Sequence, residues 1–289
     1  MKICETIDEM RRECRSARDR GLRLGFVPTM GALHEGHLSL VRAARESCQF
    51  VTASIFVNPT QFGPSEDLAR YPRSFAQDCA MLEKAKVDIV FAPSVGEMYP
   101  AGAVSWVTVE GLSDKLDGRS RSGHFRGVAT VVAKLFHIVE PDAAFFGQKD
   151  AAQLAIIRKM VRDLNFSVQV VACPIVREAD GLAMSSRNVY LNPEERKQAL
   201  VLHRALLRVQ DAWEGGEHDA GKLLEVGRGE VAKETGVRLD YFEIVDADSL
   251  EPVKSAGSGV LVALAAWVGS TRLIDNLILE VKSADHKGH

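Results

Sequence analysis

Short apolar runs alternate with amphipathic segments through the first two-thirds of the chain. Runs at 22–27, 50–57, 87–92, 104–109, 143–146 and 167–172 read as strands, and segments at 38–47, 74–84, 127–139 and 151–165 read as helices. In the first of those helices Leu38, Leu40, Val41 and Ala44 share one face. Repeated strand–helix–strand units predict an α/β fold whose parallel sheet is covered on both faces. Ligands of such sheets bind beyond the carboxyl ends of the strands, near the point where strand order reverses.

The pattern changes after about Asn188. A long helix is expected at 193–213, with Pro193 and the Glu194-Glu195 pair suited to its first turn and Gly215-Gly216 closing it. A second helix at 220–235 precedes apolar runs at 240–245, 260–268 and 277–281. Strands with no helix between them predict an antiparallel sheet. The expected organisation is a larger Rossmann-like domain at 1–176 and a smaller α+β domain at 177–289 that closes over the active site. The polar tail at 283–289 is expected to fray.

A length of 289 residues agrees with about two domains, and 46% apolar with 26% charged residues matches an ordinary globular protein. The formal net charge of -3 gives no global reason to expect nucleic acid, which needs a basic face, though a local basic cluster could still bind phosphate. No apolar span approaches the roughly 20 residues of a membrane helix, and the N-terminal segment lacks a signal-peptide core. Cys4, Cys14, Cys48, Cys79 and Cys173 are scattered without a Cys-x-x-Cys pair, which predicts free thiols and a cytoplasmic location.

The polar motifs fall just after predicted strands. Pro28-Thr29-Met30-Gly31-Ala32-Leu33-His34-Glu35-Gly36-His37 joins the first strand to the first helix, where free backbone N–H groups and the helix dipole favour an anion. His34 and His37 there read as a helix cap and a surface residue, as metal ligands without an evident third, or as two imidazoles facing phosphate. After the second strand, Asn58 and Gln61 read either as amides of a proline turn or as readers of a small polar substrate.

Three further segments carry candidate chemistry. The basic loop from Arg119 through Arg121 to Arg126 is a surface loop or a guard for anions entering a cleft. In Gly147-Gln148-Lys149-Asp150, Lys149 could neutralise phosphate, Asp150 could hold a ribose hydroxyl or orient Lys149, and Gln153 shares their face one turn on. Met184-Ser185-Ser186-Arg187-Asn188 is a polar hinge, or a loop whose hydroxyls and guanidinium close on a triphosphate. No Gly-x-x-x-x-Gly-Lys-Ser/Thr occurs, which argues against a P-loop.

Together with Phe56-Val57-Asn58-Pro59-Thr60-Gln61-Phe62, Gly123-His124-Phe125-Arg126-Gly127-Val128 and Asp180-Gly181-Leu182-Ala183, these segments resemble the pantothenate synthetase (pantoate–β-alanine ligase) family, in the family's order. The resemblance implies a Rossmann-like sheet of the nucleotidylyltransferase and class I aminoacyl-tRNA synthetase type. His34-Glu35-Gly36-His37 is similar to the HIGH signature, and Met184-Ser185-Ser186-Arg187 stands where those enzymes carry KMSKS.

It further implies ATP-dependent condensation of pantoate with β-alanine through a pantoyl adenylate. AMP and pyrophosphate are released, Mg²⁺ takes part and the enzyme is a homodimer. Met30, Gly31, Ala32, Leu33, His34, Glu35, Gly36 and His37 would line the ATP site, with His37 as proton donor. His34 and Lys149 would join His37 in catalysis. Gly147, Gln148, Lys149, Asp150, Val176, Met184, Ser185, Ser186 and Arg187 would hold ATP, while Gln61, Gln153 and Asn58 would bind pantoate and β-alanine. No metal ligand is assigned.

Overall fold

A computed structural model describes residues 1–64 and 66–281, so the expectation for the 283–289 tail lies outside the described residues. The elements run β1 (Lys2–Cys4), α1 (Ile7–Asp19), β2 (Leu24–Thr29), α2 (Glu35–Ser47), β3 (Phe50–Ile55), α3 (Phe75–Lys84), β4 (Ile89–Phe91) and the short helices α4 (Val95–Met98) and α5 (Asp117–Ser120). Next come α6 (His124–Val139), β5 (Ala143–Gly147), α7 (Ala151–Asp163) and β6 (Gln169–Cys173). The chain ends with α8 (Pro193–Glu214), α9 (Ala220–Val231), β7 (Val237–Asp246), β8 (Val260–Val268) and β9 (Thr271–Leu279).

The first six strands form a parallel sheet in the order β1-β4-β3-β2-β5-β6. Strand order therefore reverses between β2 and β5, which is where a ligand crevice opens in such a sheet. The two strands pair only through Gly25–Ala143 and Phe26–Ala144 and have parted before Pro28. That separation lets a proline, which has no N–H to donate, end a central strand. Leu24 to Val27 are buried without alternation, as expected of a strand covered on both faces. On one face Leu40, Val41 and Ala44 of α2 and Leu82 of α3 meet Val27, Val51, Val90 and Phe145. Each full burial of a Leu, Val or Phe side chain contributes about 1.5–3 kcal/mol.

One compact unit comprises residues 1–178 and 184–186, and a second comprises 179–183 and 187–289. In the second, β7-β8-β9 is antiparallel, as the helix-free spacing predicts. Leu202, Leu206 and Val209 of α8 join Leu223 of α9, Phe242, Val262 and Leu264 in its core. Asn192 caps α8 by accepting from the N–H groups of Glu194 and Glu195, while Glu195 accepts from the N–H of Asn192. Pro193 takes the first position, where an N–H would have no partner.

The structure corrects several expectations. Residues 104–109 are not a strand: Val104 and Trp106 are exposed, and Val107 donates its N–H to the Thr130 hydroxyl on α6. The third strand of the small sheet begins at Thr271, not 277; buried Asp275 and Asn276 break the apolar pattern and hide its first half in the sequence. Helix α1 was absent from the expectations. Its apolar stripe is only Met10, Cys14 and Ala17, set among charges, with a Thr6–Glu9 capping box at its start.

Candidate active site

The turn after β2 is shaped by its own backbone and by α3. Thr29 accepts the Gly31 N–H at 3.1 Å through its hydroxyl, which donates to the Ser54 carbonyl at 2.6 Å. Gly31 (φ +81°) and Ala32 (φ +51°) are both left-handed. A Cβ on Gly31 would lie 2.9 Å from the Asp78 carboxylate, so glycine is required there on two counts. Asp78, buried on α3, accepts the N–H groups of Ala32 and Leu33 at 2.9 Å each, and the Ser74 hydroxyl at 3.1 Å.

The two histidines cap α2 reciprocally. Nδ1 of His34 accepts the Gly36 N–H at 3.1 Å, and Nδ1 of His37 accepts the His34 N–H at 3.3 Å. A neutral imidazole whose Nδ1 accepts must carry its proton on Nε2. The rings lie 4.2 Å apart between centroids, tilted by 43°. A side chain on Gly36 would press on the His34 ring at 2.9 Å. Burial, then the neighbouring His34 and Lys149, pushes His37 down to about 3. Burial and then Lys149 lower His34 as well. The capping reading and the phosphate reading are therefore compatible: Nδ1 serves the helix and Nε2–H is the remaining donor.

Lys149 stands on the other side of the switch point from the pair. It lies in the single helical turn Gln148–Asp150 that follows β5, and its charge acts on both imidazoles. Gln153 is half-buried on the first turn of α7, beyond that turn. Met184 donates its backbone N–H to the Val176 carbonyl at 3.0 Å. Its Cβ is 3.9 Å from where a Cβ on Gly36 would stand, so the 184–186 segment meets the histidine turn. The Ser186 hydroxyl faces the Tyr71 hydroxyl at 3.5 Å. Arg187 belongs to the second unit.

Gln61 and Asn58 are buried at the end of β3. Gln61 accepts from Asn58 Nδ2 at 3.0 Å and directs its own Nε2 at Met30 Sδ, 3.2 Å away. Asn58 Nδ2 also donates to the Gly127 carbonyl, and its Oδ1 accepts from the hydroxyls of Tyr99 and Thr60, both at 2.9 Å. Both polar ends of the Asn58 amide are thus engaged within the protein. Glu35 is exposed and pairs with Arg42.

Arg121, in the basic loop, forks onto Glu66 at 2.7 and 2.9 Å, and Arg126 lies over the Trp106 ring at 4.4 Å. Those partners count against a guard for incoming anions. Among the described residues no group of three His, Cys, Asp or Glu could hold a metal ion. The donor set therefore does not fit a resident metal centre, and a metal-ligand role for the histidine pair is likewise unsupported. Sequence reasoning missed Asp78 and Tyr99, whose partners lie 46 and 41 positions away.

A parallel α/β sheet with paired imidazoles and a lysine at its switch point defines a Rossmann-like enzyme. The family model described as Pantoate-beta-alanine ligase matches residues 2–278. A pantothenate synthetase of Koribacter versatilis is 61% identical, over 97% of this chain and 96% of that protein. The crystal structure of a Thermus thermophilus pantothenate synthetase is 48% identical, with a TM-score of 0.90 over 97% of this chain and 100% of that one. A Francisella tularensis pantoate-beta-alanine ligase, solved in complex with beta-gamma ATP and beta-alanine, is 32% identical with a TM-score of 0.79, over 97% and 98%. The chain belongs to the pantoate-beta-alanine ligase family.

Proposed function

We propose that this chain condenses pantoate with β-alanine in two half-reactions driven by ATP. In the first, a pantoate carboxylate oxygen bonds to the α-phosphorus and the bridge to the β-phosphate breaks, releasing pyrophosphate. In the second, the β-alanine amine attacks the acyl carbon and loses a proton. The acyl–oxygen bond then breaks and AMP departs. The observation that carries this reading is that the turn bearing His34 and His37 and the turn bearing Lys149 follow the adjacent strands β2 and β5 at the point where the two separate.

Phosphoryl transfer asks a protein for position and charge rather than for a nucleophile. The Nε2–H groups of His34 and His37 donate to the phosphates as neutral imidazoles, and Lys149 supplies the fixed positive charge. His37 accordingly acts as a hydrogen-bond donor, since its low proton affinity leaves no imidazolium near neutral pH. A phosphate beside the rings raises that affinity in the complex. Met30 to Leu33, Gly147 to Asp150, Val176 and Met184 to Arg187 complete the nucleotide site.

Gln61 and Gln153 bind pantoate, and Gln61 also reaches β-alanine. Asn58 acts through Gln61, which it orients. Mg²⁺ enters as part of the MgATP substrate, held by phosphate oxygens. Closure of the 177–289 domain, a homodimeric assembly and a cytoplasmic location complete the reading.

The test is isotopic. With both carboxylate oxygens of pantoate labelled with ¹⁸O, AMP should leave carrying one label. Unlabelled AMP would exclude a pantoyl adenylate.

A further inference from the structure

The basic loop ahead of α6 has a definite set of contacts. Glu66 takes both arms of the Arg121 fork, Oε1 from Nε at 2.7 Å and Oε2 from Nη2 at 2.9 Å, and Oε2 also accepts the Gly63 N–H at 3.2 Å. The third arm, Arg121 Nη1, stands 2.8 Å from Nε2 of His124. A guanidinium can only donate, so Nε2 accepts and the neutral ring carries its proton on Nδ1. That proton points at the Gln61 carbonyl, 2.8 Å away. The tautomer is opposite to that of His34 and His37. His124 is buried, and burial together with Arg121 pushes it down to about 4, which keeps it neutral.

A second contact falls on the same face of α6. A Cβ on Gly127 would stand 2.4 Å from the Thr60 carbonyl oxygen and 2.7 Å from the Gln61 Cα. The first turn of α6 therefore lies directly on the backbone that presents Gln61, held there by a hydrogen bond at His124 and by the missing side chain at Gly127.

We propose that Glu66, Arg121 and His124 form a positioning relay that fixes the backbone of Gln61 and thereby sets the affinity for pantoate. The inference rests on the assignment of Gln61 to pantoate. None of the three touches substrate in this account; each acts through the next. Within the basic loop, Arg121 selects the ring tautomer that can donate to Gln61.

Two substitutions at one position separate the links. His124→Asn keeps an amide donor near the Nδ1 position and loses the contact with Arg121. His124→Gln reaches the Nε2 position and loses the donor to Gln61. Exchange of pyrophosphate into ATP is measured in the full chain against pantoate and against ATP, with urea midpoints to confirm folding. His124→Gln should raise the pantoate KM about tenfold, with the ATP KM and the saturated rate within about twofold, and His124→Asn should raise it by less than about threefold. Glu66→Gln, which weakens the fork without burying a new group, should also raise the pantoate KM selectively; it is the deciding variant if His124→Gln does not fold.

Gln61→Ala serves as the control. If it raises the pantoate KM while His124→Gln and Glu66→Gln leave it unchanged, the relay is overturned and the Gln61 assignment stands. If Gln61→Ala itself leaves the pantoate KM unchanged, the assignment fails and the inference falls with it. Equal shifts in the ATP and pantoate KM values would also overturn the relay, because they would mark a general structural role.

Discussion

His37 accepts the backbone N–H of His34 through Nδ1 at 3.3 Å, so one ring both caps α2 and keeps its Nε2–H for a ligand. Structure and chemistry are thus carried by different atoms of the same side chain. His37→Asn tests the division, because an Asn amide can reproduce the Nδ1 acceptor but has nothing at Nε2. Stability by urea denaturation should stay within about 1 kcal/mol of the parent, as for a retained cap. The pantoate-dependent exchange rate should fall by roughly 10²–10³.

Lys149 depresses both imidazoles through its charge, second to burial at His34 and after burial and His34 at His37. Lys149→Met should therefore move the titration of both rings upward, read by ¹H–¹⁵N correlation of the side-chain nitrogens. The same spectra of the parent should show Nε2–H tautomers for His34 and His37 and an Nδ1–H tautomer for His124. An unmoved His34 titration would separate Lys149 from the histidine pair.

Asp78 pins the left-handed turn at Gly31 and Ala32 by accepting two backbone N–H groups from 45 and 46 positions away. Asp78→Ala leaves both N–H groups without their acceptor and should destabilise the fold by about 2–4 kcal/mol. The ATP KM in the exchange reaction should rise at least about tenfold, since the turn that carries the nucleotide contacts is no longer held. Chemical denaturation and exchange kinetics on the same preparation check both.

Neutral buried histidines also set a pH dependence of stability. Burial is the first cause holding His37 near 3 and His124 near 4 in the folded state, whereas an unfolded imidazole titrates near 6.5. Below pH 6.5 the unfolded chain binds more protons than the folded one, so stability falls as pH decreases. The loss from His124 runs from about 6.5 to about 4, and that from His37 continues to about 3. Urea midpoints at pH 7, 5.5 and 4.5 should decline, and the decline should be shallower in His37→Asn.

The sheet was legible because a parallel core needs strands that are apolar almost throughout, and Leu24 to Val27, Val51 to Ala53 (broken only by Thr52) and Ala143 to Phe146 supply them. The strand-end rule likewise set the turn of His34 and His37 and the turn of Lys149 after the adjacent strands β2 and β5. What was not legible is held by distant partners or by weak patterns. Asp78 sits on a different helix from the turn it fixes, and nothing local marks a buried carboxylate as a clamp. Nothing local links Glu66 to Arg121, 55 positions away, until the fold joins them. The 104–109 run alternates like a strand but has a threonine hydroxyl, not a neighbouring strand, as its partner.

An adenylation site at the reversal between β2 and β5 activates pantoate before β-alanine is needed. Labelled pyrophosphate exchange into ATP, with pantoate present and β-alanine absent, reads that step alone. Exchange should depend on pantoate and be nearly abolished in His37→Asn. No exchange by folded protein under these conditions, or equal exchange without pantoate, would rule the adenylation site out.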